Sequence, residues 1–493
     1  MLAPVSRASG VSKSEKPSQR GEDTNNSTMS RKAWVCSQRR RDRRRATFVA
    51  IPESKPDCRR SVRTLAARFT VRARIPASDP TVTTAKTSAT GIWQPFAFVD
   101  YRLLWGATMA GSLVTWFRIF GTSQWLLEAT GSAAVVGIIG VIQLIMQIPA
   151  LLWGGTLADR LDRKRLMLWA NAGTFVVMVL FGVLSHVGAL TETLVFCGIA
   201  FTAVSQMFAS PARSALVPRV VPEQYLLAAA SSDNAWSNVA AVVAPLLFAA
   251  IAAAFGLQVV FYCAAALGLF AMGLPQLIRA SGKPDVADQP PGSQLAETWE
   301  GLRYVGRHPI LPGLFLLDTG ITVASFYREI LPVLALGLFA GGASATGMLG
   351  AANSAGAIIG SVVAALFAGW RAKGMLVLYA SFIFGFCMFG MGMANTLWLG
   401  MAMIALLGAS DAVTVAVRQT TVMLTTPDHM RGRAFAIMIL AAQTANNIGT
   451  IWVGVWAEAI GAANTMILGG YISVIATALI GWWWKPIRTF RSN

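Results

Sequence analysis

The chain has 493 residues, 55% of them hydrophobic and only 13% charged. A soluble domain carries about a quarter charged residues, so composition excludes an ordinary water-soluble globule and places most of the surface in hydrocarbon. The net charge of +18 invites a nucleic-acid reading, but 20 of the 41 Lys/Arg and only 7 of the 23 Asp/Glu fall within residues 1–90, so the basicity belongs to that segment and not to the body.

Residues 1–90 are polar, Ser/Thr-rich and basic, with the run Arg39–Arg45 broken only by Asp42. Such a composition buries too little apolar surface to fold. It also lacks the apolar core of about 7–15 residues that a secretory signal requires. The segment is read as a basic disordered extension, and an over-called start is the preferred origin. A basic arm on anionic lipid heads and a targeting extension are the functional alternatives. A chain shortened to begin near Ser88 is therefore expected to insert and transport as the full chain does. Failed insertion, or lost transport, in that truncation would contradict the reading.

From Leu103 onward, apolar runs long enough to span a ~30 Å hydrocarbon core recur. They fall near 103–126, 134–157, 166–186, 191–209, 232–254 and 258–276. After a hydrophilic stretch come 310–336, 343–369, 374–393, 397–417, 434–457 and 463–484. The body thus divides into a six-span bundle (91–276), a central cytoplasmic loop (277–309), a second six-span bundle (310–485) and a short tail (486–493). The expected fold is an all-α integral membrane protein, twelve transmembrane helices in two pseudo-symmetric bundles around a central cavity.

Cations test the span count independently, because cytoplasmic loops carry the excess of Lys and Arg. With the N-terminus cytoplasmic, 19 of the 21 cations after residue 90 fall on that side. They include Arg160, Arg163, Lys164 and Arg165 after span 2, and Arg418, Arg431 and Arg433 after span 10. Both termini are then cytoplasmic. The two exceptions, Arg118 in span 1 and Arg328 in span 7, sit in related triplets, Trp116-Phe117-Arg118 and Phe326-Tyr327-Arg328, 210 residues apart. A second echo joins Arg213 and Pro222-Glu223 to Arg418 and Pro427-Asp428, 205 residues apart. Repetition at half the body length is what a duplicated six-helix unit leaves.

Between spans 2 and 3 the sequence reads Gly154-Gly155-Thr156-Leu157-Ala158-Asp159-Arg160-Leu161-Asp162-Arg163-Lys164-Arg165. Gly155 permits close helix approach and Asp159 lies one turn later on the same face. This resembles the signature of the major facilitator superfamily, Gly-x-x-x-Asp-Arg-x-Gly-Arg-Arg, with Asp162 in place of the second Gly. The corresponding place after span 8 keeps only Gly369-Trp370-Arg371-Ala372-Lys373. Further segments resemble a bacterial exporter branch that includes enterobactin-exporter-like proteins. These are Asp100-Tyr101-Arg102-Leu103-Leu104-Trp105, Thr130-Gly131-Ser132-Ala133, Pro211-Ala212-Arg213 and Trp299-Glu300-Gly301-Leu302-Arg303-Tyr304. Ala244-Pro245-Leu246-Leu247-Phe248-Ala249-Ala250 stands where antiporters of the superfamily show Gly-Pro-x-x-Gly-Gly, and reads equally as a kinked packed helix.

The resemblance implies a secondary transporter working by alternating access, most simply proton-driven efflux of a small amphipathic solute. Import, and a non-transporting binding or secretion-accessory protein, are the alternatives. It also places Asp159 near the start of span 11, so that Gly155, Asp159, Arg160, Arg163, Arg431 and Arg433 form a cytoplasmic latch. Charge in hydrocarbon is costly, so ionisable residues inside spans are candidates for coupling. Burial favours the neutral form of a carboxylate, which makes Asp318, the deepest acid, the candidate proton carrier. Arg118, Gln143, Gln147, Asn446 and Asn447 are candidate cavity residues, with helix bridging as their structural alternative. Asp233, Asp411 and Arg418 read as solvated at span ends. The five cysteines and three histidines (His186, His308, His429) show no ligand spacing, and no catalytic order or P-loop appears. The sequence therefore predicts no enzyme activity, no cofactor, no metal and no nucleic-acid partner. The expected partners are a small-molecule substrate and the bilayer, with the protein a monomer.

Overall fold

The computed structural model describes residues 91–160, 162–282 and 294–491. The expectations for residues 1–90 lie outside that range. Everything regular in it is helical. In chain order the helices are α1 (Val99–Thr130), α2 (Ala133–Arg160), α3 (Arg163–His186), α4 (Glu192–Val220), α5 (Leu226–Phe255) and α6 (Leu257–Gly273). They continue as α7 (Gln294–Arg307), α8 (Leu311–Ser325), α9 (Leu331–Phe339), α10 (Ala343–Leu366) and α11 (Lys373–Gly392). The last are α12 (Leu397–Thr425), α13 (Asp428–Ile460), α14 (Ala462–Trp483) and α15 (Lys485–Thr489). Among the described residues nine helices are long and apolar enough to cross a membrane. Three shorter apolar stretches, Ala133–Gln147, Glu192–Gln206 and Leu311–Ser325, fall on predicted spans 2, 4 and 7.

Span 7 differs from its expected form. It is two helices, α8 and α9, separated at Phe326–Ile330. Pro332 lies in the first turn of α9, where its missing N–H leaves no helical hydrogen bond unmade, so the break falls where a helix start accommodates the ring. The loop predicted over 277–309 also contains α7, an amphipathic helix too short and too polar to read as a span.

The first six helices meet the helices from α8 onward along two seams, α2 against α13 and α5 against α10. Small residues make both possible. A Cβ on Gly137 would lie 3.2 Å from Gly454 Cα, and one on Gly140 would clash with the Asn447 carbonyl and reach Thr450 Cβ at 2.9 Å. On the second seam a Cβ on Gly350 would meet Phe120 at 3.0 Å and Pro245 at 3.1 Å. Pro245 is thus a packing surface, inside a helix that continues past it. These contacts run from the end opposite the basic loops to the middle of the helices. At that far end Glu458 of α13 caps α2. One carboxylate oxygen accepts from the Ser132 hydroxyl at 2.9 Å and from the Ala133 and Ala134 amides at 2.7 and 3.3 Å.

Candidate functional site

In α12, Asp411 and Arg418 are seven residues apart, two turns on one face. The Arg418 guanidinium pairs with Asp318 of α8, and Asp411 lies beside them in the wall of one cavity of about 260 Å³. The cavity is closed by Thr322, Phe326, Tyr327, Arg328, Gln443 and Asn446, among others. A narrower chamber adjoins it and reaches Ser381, whose buried hydroxyl has no hydrogen-bond partner among the described residues. The expectation of solvation at the span end fails for Asp411 and Arg418. Arg418 is 7% exposed, and α12 extends to Thr425, so both residues lie well inside the helix. Arg418, counted among the loop cations, instead faces Asp318. Asp233 is likewise paired, with Arg213 at 3.1 Å.

A second charge cluster surrounds the break between α8 and α9. Glu329 is buried, flanked by Arg328 and Arg118 with Thr450 alongside. The Arg328 guanidinium also lies over the Trp116 ring, 5.6 Å from its centroid. The two echoed triplets thus meet: Trp116 and Arg118 of α1 face Arg328 across the interface. Tyr327 donates to Asn353 Oδ1 at 2.6 Å, which fixes the broken segment to α10. Sequence reading missed Glu329. Its signal was an acid beside Arg328 inside an apolar run and three residues before Pro332.

Arg328 and Asp411 line the same cavity, which links the two clusters. Three arginines (118, 328, 418) and three carboxylates (Glu329, Asp318, Asp411) make an electrically balanced buried network. Balance matters because an unpaired charge in this environment costs several kcal/mol. Arg418→Ala leaves two neighbouring carboxylates without their guanidinium. It is expected to destabilise the purified protein by about 3–5 kcal/mol, read as a lower thermal transition. Arg418→Gln combined with Asp318→Asn should recover most of the loss. An unchanged transition in Arg418→Ala would contradict the buried pair.

The remaining candidates divide. Asn446 lines the cavity. Gln147 and Asn447 bridge α2 and α13 instead: Asn447 donates to Gln147 Oε1 at 3.1 Å, and Gln147 donates to Thr444 at 3.3 Å. Gln143, one turn from Gln147, is half-buried. Arg118 belongs to the Glu329 cluster rather than the cavity wall.

The broken seventh span, the buried charge network and the two pseudo-repeated seams can now be set beside known proteins. The sequence profile described as transmembrane secretion effector, a major facilitator group, matches residues 90–490. The chain belongs to that family. Among curated relatives, the enterobactin exporter EntS of Escherichia coli is 30% identical over 339 residues, covering 67% of this chain and 78% of the relative. EntS of Shigella boydii is 29% identical over 371 residues, covering 73% and 82%. A bacterial homologue of the human lysosomal transporter Spinster, in an inward-facing and unoccupied conformation, superposes with a TM-score of 0.60 at 15% identity over 80% of this chain and 99% of that one. A variant of the nucleoside transporter NupG gives 0.65 at 12% identity over 78% and 99%. The family and these relatives are transporters, not enzymes, and the chain is a multi-pass membrane protein.

Within this major facilitator family the departure at Asp162 has a local explanation. Asp162 is the N-cap of α3, accepting from the amides of Lys164 at 2.9 Å and Arg165 at 3.4 Å, so the turn uses a capping side chain where the signature has Gly. Gly155, Asp159 and Arg160 lie on α2, and their side chains fall outside the described ones. The described members of the expected latch have other partners here. Arg163 donates to the Ala215 carbonyl at 3.0 Å, Arg431 pairs with Asp428 at 2.6 Å, and Arg433 pairs with Glu300 at 2.5 Å.

Proposed function

We propose that the chain is a proton-driven exporter of a small amphipathic solute, acting as a monomer in the bacterial cytoplasmic membrane. In this reading twelve spans form two six-helix bundles, span 7 is α8 plus α9, and both termini are cytoplasmic. The observation that carries the proposal is the buried Asp318–Arg418–Asp411 group in the wall of a polar cavity. Two carboxylates around one guanidinium leave the group one negative charge in excess, which a single proton would neutralise. A proton gained there changes the charge of the cavity by one unit. Any polar group of a solute bound in the same cavity feels that change, which links proton occupancy to solute occupancy. Export is supported by the enterobactin-exporter relatives, and their solute makes a siderophore-like compound the first candidate to test.

Alternating access needs two states of comparable free energy. The seams of this structure are closed at the end opposite the basic loops, so we read it as the inward-facing state, held by Glu458 on the N-terminus of α2. The outward-facing state would then be held at the other end by Asp159 on the N-terminus of α13. There the Asp159 carboxylate would meet the partial positive charge and free amides of a helix start, as Glu458 does at the opposite end. A single helix pair would thus carry a latch at either end. The substrate is identified by deleting the gene and comparing metabolites in cells and medium. A compound retained in cells and depleted from medium supports export; the reverse distribution supports import, and no change for any compound contradicts transport.

A further inference from the structure

Helix α7 turns Gly301 and Val305 inward and leaves Trp299, Leu302, Arg303 and Arg307 exposed on its outer side. Its position is set by the Arg433–Glu300 pair and by Gly301, whose Cβ would sit 3.2 Å from Arg433 Cβ. An open cavity of about 610 Å³ follows, lined by Glu300, Arg303, Tyr304, Arg307, His308 and His429, among others. Glu300 is already neutralised by Arg433. His308 contributes no charge: its Nδ1 accepts from the Ile310 and Leu311 amides at 3.2 Å each, and burial holds the imidazole below its usual pKa. The cavity therefore presents two guanidinium groups, and among the described residues neither has a carboxylate partner.

The depth of this cavity is marked by tryptophans. Trp484, at the end of α14, donates to the Pro309 carbonyl in the cavity wall at 2.8 Å. Trp482 and Trp483 beside it are 72% and 81% exposed, and Trp299 on α7 is 67% exposed. Exposed tryptophan at the ends of apolar helices sits at the level of lipid headgroups. A basic cavity at that level, beside exposed apolar side chains, matches an anionic lipid in both charge and polarity. We propose that the α7 cavity binds the phosphate headgroup of an anionic phospholipid from the leaflet on the basic-loop side, through Arg303 and Arg307, with Trp299 and Leu302 against its acyl chains. This site is separate from the transport cavity.

Native mass spectrometry of the full-length protein tests the assignment, using phosphatidylglycerol or phosphatidylethanolamine added in detergent. Wild type should retain phosphatidylglycerol about 10- to 30-fold more strongly, the factor expected for two surface cations. Arg303→Gln with Arg307→Gln should bring the two lipids to near equality while the protein still elutes as a single sharp peak. Trp299→Ala should weaken both lipids and keep the headgroup preference. Equal retention of the two lipids by wild type, or an unchanged preference in the double variant, would overturn the proposal. So would displacement of phosphatidylglycerol by millimolar inorganic phosphate, which would make this a simple anion site.

Discussion

Asp318→Asn is expected to abolish solute movement driven by a pH gradient while leaving solute–solute exchange measurable in proteoliposomes. The substitution keeps the shape of the side chain and a hydrogen-bond acceptor for Arg418, but it removes the group that can exchange a proton. It also leaves Arg418 facing Asp411 alone, so Asp411 becomes a fixed anion rather than half of a shared pair. Asp411→Asn should show the same separation of driven transport from exchange, because either loss ends the sharing. The expected fall in driven flux is on the order of 100-fold, the loss of a group that acts in every cycle. Driven flux at the wild-type rate in both variants would remove the coupling role from this pair. Loss of exchange together with driven flux would instead place Asp318 in solute binding.

The two latches are expected to move the conformational balance in opposite directions. A carboxylate at a helix N-terminus contributes about 0.3–1 kcal/mol where exposed, as Glu458 is, and up to about 2 kcal/mol where partly buried, which corresponds to a shift of about 2- to 30-fold in a two-state ratio. Glu458→Gln gives up the charged acceptor of three hydrogen-bond donors at the start of α2, the Ser132 hydroxyl and the Ala133 and Ala134 amides. It should therefore deplete the inward-facing state. Asp159→Asn should enrich that state and slow turnover, with intrinsic solute binding little changed. Spin-label distances across both ends of the α2–α13 pair read the populations directly. If Asp159 only balances Arg160 and Arg163, its substitution leaves both distributions as in wild type. Unchanged distributions in Glu458→Gln would likewise reduce its contact to a local cap.

Much of this was legible in the sequence, for identifiable physical reasons. Apolar runs announce membrane helices because hydrocarbon leaves the backbone no other partner, so the positions of α1 to α6 and α10 to α14 agree with the runs read along the chain. Charge is harder to place. Arg418 counts equally well as a loop cation or as a buried partner until the length of α12 is known, and it was read as the first. Asp411 followed it into the same error. The paired triplets at Arg118 and Arg328 were visible as a repeat, but their meeting at Glu329 was not, since it depends on a helix break that places residues from α1 and span 7 together. Pro332 was the available clue to that break. Glu458 was invisible for a different reason: a carboxylate near the end of a span resembles ordinary interfacial solvation until the helix start facing it is known.

Proton movement during solute transport tests proton-coupled export most directly. Proteoliposomes are loaded with a pH-sensitive dye and given the solute found by metabolite comparison on one side only. Solute moving down its gradient is expected to drive protons the opposite way, with a dye signal that disappears in Asp318→Asn. Solute flux with no accompanying pH change, or with protons travelling in the same direction, would contradict it.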